Sequence, residues 1–243
     1  MTNKVLITGA NKGLGLEAAR RLGEQGWTVF LGSRDTGRGA DAVARLTDAG
    51  VDAVLVPLDV TSDESVAAAV ALVSARTGSL DVLINNAGFG GHAIPPAEAT
   101  AAELHAVYDT NVYGPVRVTN GFLPLLRASD NPRVVNVSSG GGSFAVITDP
   151  AQPVAKMHEL AYSSSKAALN MITLRYAKAV PEVKFNVVTP GETVNHKFAA
   201  TDMNRNTGAL TVTEGTDSIL RMALLPADGP TGTFEDRLGP LAW

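Results

Sequence analysis

Tyr162 and Lys166 are the two residues of this sequence whose types and spacing point most directly to chemistry. Side chains four positions apart on a helix share one face, about one turn from each other. An ammonium group stabilises a neighbouring phenolate, so we expect Lys166 to lower the pKa of Tyr162 from its ordinary value near 10. A tyrosine shifted in this way acts as a general acid or base near neutral pH. The pair predicts a proton-transfer site, and a pair on a helix surface is the alternative that the bare spacing leaves open.

The glycine-rich residues 8–15 point to a second kind of chemistry, the binding of phosphate. They follow the apolar run Val5–Ile7 and open a segment with helical spacing. Glycine lets the backbone turn sharply there, and a pyrophosphate can then approach the N–H groups and positive dipole end of the helix. We expect cofactor contacts from Gly9, Asn11, Lys12, Gly13, Leu14 and Gly15.

Ser33 and Arg34 end the second apolar run, and Arg34 lies nineteen positions beyond Gly15. The end of the second strand of a dinucleotide fold meets the adenosine ribose, where an acid binds the 2′-hydroxyl of NAD. This sequence has Ser33 in place of the acid and a guanidinium next to it, which suits a 2′-phosphate. Lys12 would add a second positive charge, and Asp35 would point elsewhere. We therefore expect NADP(H) as the cofactor, with Ser33 and Arg34 among its contacts.

The elements that must position these residues alternate along the chain. Runs rich in Val, Ile and Leu predict strands covered on both faces, at Lys4–Thr8, Thr28–Gly32, Ala53–Pro57, Asp81–Ile84, Arg133–Val137 and Lys184–Val188. Helical spacing begins at Leu14 and at Asp63, continues over Glu103–Leu126 with a disturbance near Gly114-Pro115, and covers Tyr162–Lys178. This alternation predicts an α/β fold, a single Rossmann-type doubly wound domain over residues 1–243 with a mostly or fully parallel sheet flanked by helices.

Polar and glycine-containing segments end several of the predicted strands. Ligands of an open parallel sheet bind at the carboxyl ends of its strands. The segments at this edge are the glycine-rich residues after the first strand, Asn85-Asn86-Ala87-Gly88 after the fourth, Ser138-Ser139 after the fifth and Pro190-Gly191 after the sixth. Their shared position strengthens the functional interpretation of Tyr162 and Lys166.

Taken in order, these motifs resemble those of the short-chain dehydrogenase/reductase family over essentially the whole chain. The resemblance rests on Thr8-Gly9, Gly13-Leu14-Gly15, Asp59-Val60, Asn85-Asn86-Ala87-Gly88, Asn111-Val112-Tyr113-Gly114, Asn136-Val137-Ser138-Ser139, Tyr162-Ser163-Ser164-Ser165-Lys166 and Pro190-Gly191. Asn11-Lys12, Ser33-Arg34 and the ending up to Trp243 are similar to the carbonyl-reductase-like branch. The resemblance implies an NADPH-dependent enzyme that reversibly reduces a ketone or aldehyde to an alcohol.

The resemblance also implies a role for each catalytic residue. Tyr162 would give a proton to the carbonyl oxygen, and Lys166 would lower its pKa and hold the nicotinamide ribose. Ser139 would hydrogen-bond the substrate oxygen, with Ser138 as the alternative. Asn111 would support a water molecule in a proton relay, and a role in capping or kinking its helix is the other interpretation.

Further cofactor contacts follow from the resemblance. Asp59 and Val60 would contact adenine, with a turn or cap role as the alternative for Asp59. Asn86, Ala87 and Gly88 would line the cofactor cleft, and Pro190 and Gly191 would also contact the cofactor.

The residues after Gly191 depart from the family pattern. Asn195 stands where the family often has a threonine that contacts the nicotinamide carboxamide, so Thr193 or Thr201 would replace it. The residues 192–198 resemble an insertion, within an irregular stretch that runs to residue 210. Glu192 is expected to be a solvated loop acid.

A second departure is the spacing of twenty-three positions between Ser139 and Tyr162, which is longer than the family's short form. We expect residues 144–160 to loop out near the active site, within an irregular stretch over residues 140–159. They would shape a substrate pocket together with Phe89 and His92, or cover helix faces that pair subunits. For the oligomeric state, the sequence allows either a monomer or a homo-oligomer.

Composition narrows the remaining function classes. A net charge of −4 without a basic run argues against nucleic-acid binding, and the absence of cysteine excludes thiolate metal sites and disulfides. The scattered His92, His105, His158 and His196 do not have metal-ligand spacing, and no apolar run approaches the ~20 residues of a membrane span. The three apolar residues Val5–Ile7 are too short for a signal peptide core. We expect a cytoplasmic protein with a small carbonyl or alcohol substrate.

Two other functions use the same fold. A non-catalytic NADP(H)-binding or sensor protein would not need the set of Asn111, Ser139, Tyr162 and Lys166. An epimerase or dehydratase also uses Tyr and Lys four positions apart, but such chains usually carry a larger C-terminal part than the 53 residues after Pro190.

Overall fold

The computed structural model describes residues 2–92, 94–156, 159–193, 195–202 and 206–243, so His158 lies outside the described residues. The strands are β1 (Lys4–Ile7), β2 (Thr28–Ser33), β3 (Ala53–Pro57), β4 (Val82–Asn85), β5 (Arg133–Val137), β6 (Lys184–Val188), β7 (Gly191–Glu192), β8 (Lys197–Phe198), β9 (Phe234–Asp236) and β10 (Gly239–Pro240). The α-helices are α1 (Gly13–Gly23), α2 (Thr36–Asp48), α3 (Asp63–Arg76), α4 (Ala101–Tyr108), α5 (Gly114–Arg127), α6 (Phe144–Ile147), α7 (Leu160–Ala179), α8 (Val212–Gly215) and α9 (Asp217–Ala223).

The central sheet has the strand order β10-β9-β6-β5-β4-β1-β2-β3. Every neighbouring pair from β9 to β3 is parallel, and only β10 runs antiparallel to β9 in the described sheet. The strand order reverses between β1 and β4, which is where an open α/β sheet binds its ligands. The prediction of an α/β Rossmann-type domain with a mostly parallel sheet is confirmed, while the range 1–243 for that domain stays a prediction.

The predicted strands agree with the observed ones to within one residue at either end, because apolar runs between glycine and polar residues are a strong local signal. Helices α2, α8 and α9 had no counterpart among the predictions. The stretch predicted to be irregular at residues 140–159 contains α6 and two 3₁₀ turns, Gly140–Gly142 and Pro153–Lys156.

The long helix expected over residues 103–126 is instead α4 and α5, joined by the π-helical turn Asp109–Tyr113. The disturbance therefore lies before Gly114-Pro115 rather than at it. Pro115 has no N–H to give to the carbonyl four residues earlier, and its ring clashes with that carbonyl. The turn widens, and the N–H of Gly114 bonds to the carbonyl of Asp109, five residues back.

Two apolar cores hold the sheet, one on each face. Adjacent residues of β1 alternate between them: Ile7 packs with α1 and α9, and Leu6 packs with α3 and α5. Phe30 and Leu31 of β2 divide in the same way. Because both faces are filled, the free edge at the carboxyl ends of the strands is where polar groups can meet a ligand.

In the described ranges, no helix is both long and apolar enough to span a bilayer. Nor do His, Asp and Glu residues of those ranges cluster in threes that could hold a metal ion.

Candidate active site

The glycine-rich turn between β1 and α1 has the geometry of an anion site. Gly9 and Gly13 have φ of +63° and +56°, a backbone conformation that residues other than glycine rarely adopt. A Cβ added to Gly13 would meet nothing within 4 Å, so the backbone there faces open space. The first turn of α1 contains no acid, and its N-cap Lys12 makes no side-chain capping bond. The free N–H groups and dipole of this helix end can therefore receive a phosphate.

Asn86 and Thr8 brace this turn from the neighbouring strand. The Asn86 amide donates to the carbonyls of Thr8 and Gly9 at 2.9 and 3.2 Å, and the Thr8 hydroxyl accepts from the N–H groups of Asn86 and Ala87. A Cβ on Gly9 would lie 3.0 Å from the Cα of Ala87. Asn86 and Ala87 thus fix the shape of the turn. The role of Thr8 was missed because a lone threonine carries no distinctive sequence signal.

Arg34 follows β2 directly and is exposed, and the described residues offer its guanidinium no partner. The Ser33 side chain is fully buried and donates to the carbonyl of Asp35 at 2.7 Å. The Ser33 hydroxyl is enclosed by the start of α2, and its contact with the cofactor stays a prediction. Asp35 caps α2 by accepting from the N–H of Arg38, and that it points away from the ribose stays a prediction.

Lys12 is already paired in this structure. Its ammonium lies 2.6 Å from the carboxylate of Asp202, and both side chains are more than half exposed. Such a surface pair is weak and screened by salt. Lys12 therefore remains available to an anion that competes with Asp202.

Asp59 and Val60 follow β3 on the same edge. The Asp59 carboxylate accepts from the N–H and hydroxyl of Thr61 at 3.0 and 2.7 Å, which is the turn role that the sequence left open. Val60 is buried against α5, where a Cβ on Gly114 would lie 2.9 Å from its Cγ2. Contact of either residue with adenine stays a prediction.

Tyr162, Ser139 and Lys166 come together where β5 meets α7. The Ser139 hydroxyl lies near that of Tyr162, close enough to lower the tyrosine pKa. The Lys166 ammonium lies 5.6 Å from the centre of the Tyr162 ring and donates to the carbonyl of Val137 at 2.9 Å. The spacing of four residues on one helix face therefore places the lysine over the tyrosine ring, as the motif predicts.

The electrostatics of this pair differ from the expectation. Burial raises the pKa of Tyr162 to about 12, the nearby charge of Glu159 adds to the rise, and the nearby Ser139 hydroxyl opposes it. Burial lowers the pKa of Lys166 to about 8. The predicted lowering of the tyrosine pKa by Lys166 is wrong for this structure, because the ammonium is directed at the Val137 carbonyl and desolvation dominates.

The two adjacent serines have different surroundings. Ser138 is buried, and its hydroxyl donates to the amide oxygen of Asn170 at 2.6 Å. Asn170 in turn donates to the carbonyl of Gly142, so Ser138 helps to hold α7 against the loop after β5. Ser139 keeps part of its surface exposed and contacts Tyr162. The geometry favours Ser139 over Ser138 as the residue that faces a substrate.

Asn111 is fully buried in the π-helical turn. Its amide donates to the Ser165 hydroxyl at 3.0 Å and to the Phe89 carbonyl at 2.9 Å, and its oxygen accepts from the Phe89 N–H. The side chain thus joins the end of β4 to α7. Because Pro115 cannot donate to it, the backbone carbonyl of Asn111 loses the usual helical partner. A water relay through Asn111 stays a prediction.

Pro190 and Gly191 lead into a small hairpin of β7 and β8 rather than into an irregular loop. Val194, within it, lies outside the described residues. Glu192 was expected to be solvated, but its side chain is only 4% exposed and pairs with Arg237 and Lys197. Bonds from Asn195 and Arg237 hold the pKa of Glu192 below its ordinary value. The expectation failed because Arg237 lies 45 residues away in the sequence.

A cavity of about 270 Å³ lies between α4 and the start of α7. Its wall is mainly apolar, with His92 and Glu103 as the polar exceptions. The lining residues are Phe89, Gly91, His92, Ile94, Ala99, Ala102, Glu103, Ala106, Val107, Leu160 and Ala161. Of the residues predicted to shape a substrate pocket, Phe89 and His92 line this cavity, whereas Phe144 does not and is 71% exposed.

The comparisons with known proteins identify the family of this chain. The model of the short chain dehydrogenase family matches residues 3–208. Short-chain dehydrogenase/reductase 1 of Saponaria officinalis is 36% identical over 96% of this chain and 93% of its own length. A (+)-neomenthol dehydrogenase of Arabidopsis thaliana is 35% identical over 96% and 95%. The structure of NADPH-bound carbonyl reductase from chicken fatty liver has a TM-score of 0.86 and 29% identity, covering 100% of this chain and 99% of that one.

The sheet order and the groups at its carboxyl edge define a Rossmann-type α/β protein. The chain belongs to the short-chain dehydrogenase family of oxidoreductases, and the resemblance found in its motifs is confirmed. The alignment with the Saponaria relative spans 289 positions, more than the 243 residues of this chain, so that relative contains segments that this chain lacks.

Proposed function

We propose that this protein is an NADPH-dependent reductase of a ketone or aldehyde, with Tyr162 as the general acid. The observation that carries the proposal is the position of the Lys166 ammonium, 5.6 Å from the centre of the Tyr162 ring, with Ser139 beside the tyrosine. A proton donor, a second hydroxyl and a buried cation at the carboxyl edge of the sheet are what carbonyl reduction requires. The NADPH-bound carbonyl reductase that resembles this chain supports the same activity.

The residues at the adenosine end fit NADP(H). The open backbone at Gly13 and the acid-free start of α1 suit the pyrophosphate. Arg34 is exposed at the end of β2, where the adenosine ribose of a dinucleotide lies. The position before it, where an NAD-binding protein has an acid for the 2′-hydroxyl, is Ser33. Its planar fork suits a 2′-phosphate better than a 2′-hydroxyl.

The proposed reaction consists of one hydride transfer and one proton transfer. When bound, NADPH supplies a hydride to the carbonyl carbon and leaves as NADP⁺. The Tyr162 hydroxyl gives its proton to the carbonyl oxygen as the C=O double bond becomes single, which yields the alcohol. A pKa of about 12 keeps Tyr162 protonated at neutral pH, the state in which it can donate. Ser139 would hold the carbonyl oxygen beside that proton.

Lys166 would pass a proton from solvent back to Tyr162, and Asn111 would position Lys166. Lys166 would hold the nicotinamide ribose hydroxyls, and with a pKa of about 8 it can give and recover a proton near neutral pH. Asn111 fixes α7 through Ser165, the residue before Lys166, and so sets the position of the lysine along the helix.

The apolar cavity indicates the kind of carbonyl compound. It begins at Ala161, the residue before Tyr162, and reaches Phe89, the residue after Gly88. A cavity of ~150 Å³ holds benzene, so about 270 Å³ accepts a substituted ring. We therefore propose an uncharged carbonyl compound whose apolar ring occupies this cavity.

The direct test follows NADPH absorbance against a panel of cyclic ketones, aldehydes and quinones. The wild type should oxidise NADPH with at least one of them, and Tyr162→Phe should lower kcat by about 10²- to 10⁴-fold while NADPH still binds. Equal turnover by Tyr162→Phe would remove the tyrosine from its role. NADPH binding without turnover of any compound would favour the binding or sensor alternative.

The position of the ring is tested by a matched pair of variants on α4. Ala102 lines the cavity and Ala101, one residue earlier, does not. Ala102→Phe should raise KM for a cyclic ketone about tenfold and leave KM for a three-carbon aldehyde within twofold, because only the larger substrate needs the filled space. Ala101→Phe should leave both within twofold. The same KM for the cyclic ketone in both variants would place its ring elsewhere.

A further inference from the structure

Glu103 contributes a carboxylate to the wall of the apolar cavity, in the first turn of α4. Its neighbours on the same helix and just before it, Ala99, Ala102 and Ala106, are small and apolar. His92 is the other polar side chain among the described lining residues. The otherwise apolar wall therefore has one place at which it can form hydrogen bonds with a ligand.

One oxygen of the Glu103 carboxylate is already used. Its Oε2 accepts from the N–H of Thr100 at 2.8 Å and from the Thr100 hydroxyl at 2.9 Å. These bonds belong to the capping box that begins α4. Its Oε1 accepts no hydrogen bond from the part of the chain that the structure describes. The capping box thus holds the carboxylate in place and leaves one oxygen for a ligand.

The charge of this carboxylate decides which ligand group can meet it. Hydrogen bonds from the N–H and hydroxyl of Thr100 hold the pKa of Glu103 below its ordinary value, and a positive charge on His92 adds to the lowering. Glu103 is therefore ionised at neutral pH, and an ionised carboxylate only accepts hydrogen bonds. The ligand group must be a donor. A protonated His92 would repel an ammonium there, so an uncharged hydroxyl is the donor that fits this pair.

Glu103 lies at the end of the cavity away from the catalytic residues. Asn111 bonds to Ser165 of α7, which places the π-helical turn beside those residues. Glu103 precedes Asn111 by eight residues, about 12 Å along the helix axis. Ala161 lines the cavity next to Tyr162. A ring whose carbonyl lies at Tyr162 would therefore turn its opposite side towards Glu103.

We propose that Glu103 is a specificity-determining residue that accepts a hydrogen bond from a hydroxyl group on the substrate ring, opposite the carbonyl. This inference rests on the proposed function, because it takes the cavity as the place of the substrate ring. The substrate class is then a cyclic ketone or aldehyde that carries a hydroxyl group. Tyr162 and Glu103 would bind its two ends, and together they would fix the orientation of the ring.

The test compares ketones that differ in one group of similar size. The pairs are 4-hydroxycyclohexanone with 4-methylcyclohexanone, and 6-hydroxy-1-tetralone with 6-methyl-1-tetralone for a longer ring system. In at least one pair, the wild type should have a kcat/KM about tenfold higher for the hydroxyl compound, the value of one hydrogen bond to a charged group. Glu103→Leu should remove this preference, because it lowers kcat/KM for the hydroxyl compound alone. NADPH absorbance measures all four rates.

Two further variants serve as controls. Glu103→Gln keeps the capping box and an acceptor oxygen, so at least a third of the preference should remain. Glu98→Leu removes an exposed acid that does not line the cavity, and it should leave the preference within twofold. Because the measured quantity is the ratio of two substrates on the same variant, a partial loss of folded protein in Glu103→Leu cancels.

Each other outcome contradicts a defined part of the proposal. Turnover of both pairs without a preference for the hydroxyl compound, or a preference that survives Glu103→Leu, would overturn the contact with Glu103. Turnover of other carbonyl compounds but of neither pair would also overturn it. A higher kcat/KM for 4-aminocyclohexanone than for 4-hydroxycyclohexanone would replace the hydroxyl by an ammonium. Failure of the wild type to reduce any ketone, aldehyde or quinone would instead overturn the proposed function.

Discussion

The two ends of the proposed cofactor cleft hold their positive charges in opposite ways. At the end beside β2, Arg34 is exposed and Lys12, 56% exposed, shares a surface ion pair with Asp202. At the end beside β5, Lys166 is only 3% exposed and bonds to a backbone carbonyl. The first arrangement supplies charge that can reach a ligand, and the second supplies a fixed position and an altered pKa.

This difference follows from what each end would do. A phosphate is recognised by charge and by the fork of a guanidinium, and an exposed arginine provides both at little cost in folding free energy. Proton transfer depends on the position and the pKa of the donor, and burial changes both. Changes at the buried end should therefore affect catalysis and stability, whereas changes at the exposed end should affect affinity alone.

After Tyr162→Phe, the largest effect is expected from the two adjacent serines. Ser139→Ala should lower kcat about a hundredfold with little change in folding, because it removes the hydroxyl that contacts Tyr162. Ser138→Ala should leave kcat within threefold but lower the free energy of unfolding by about 1–3 kcal/mol, because the buried oxygen of Asn170 loses its donor. Steady-state kinetics measures the effect on kcat, and urea unfolding measures the effect on stability. A large loss of kcat in Ser138→Ala and a small one in Ser139→Ala would make Ser138 the active serine.

A pH-dependent effect on stability should follow at Lys166. Its pKa in the folded protein, about 8, is below its ordinary 10.5, so between these values the unfolded chain binds more protons. Stability must then rise with pH in that window. Relative to Lys166→Met, the wild type should gain roughly 2–3 kcal/mol in unfolding free energy from pH 7 to pH 10.

Urea unfolding at several pH values checks this expectation. Lys178→Met, on the exposed part of the same helix, should follow the wild type at every pH. A constant difference between wild type and Lys166→Met across the window would mean that the lysine is not desolvated in the folded protein.

The sequence was sufficient to predict the parts of the molecule that depend on local patterns. Strands such as β3, β5 and β6 are apolar runs with clear ends, and their glycine and polar endings marked the ligand edge. Tyr162 and Lys166 were found because helical spacing alone puts them on one face.

The parts that were missed depend on contacts between distant residues. Strands β9 and β10 are three and two residues long, too short for a periodic pattern, so the turn that carries Arg237 could not be seen. The burial of Glu192 and the direction of the Tyr162 pKa both depend on packing across the sheet edge. Spacing along the chain does not encode such packing.

The smallest of these effects concerns Arg34 at the exposed end. Arg34→Glu should weaken NADPH about thirtyfold and NADH less than threefold, since only the 2′-phosphate needs the guanidinium, and unfolding should change by less than about 0.5 kcal/mol at this exposed position. Arg45→Glu, exposed further along α2, is the control for charge and should change NADPH affinity less than threefold. Cofactor titrations at two salt concentrations measure both. If Arg34→Glu still prefers NADPH over NADH as the wild type does, the 2′-phosphate is recognised elsewhere. The exposed end of the cleft then does not bind the phosphate through its charge.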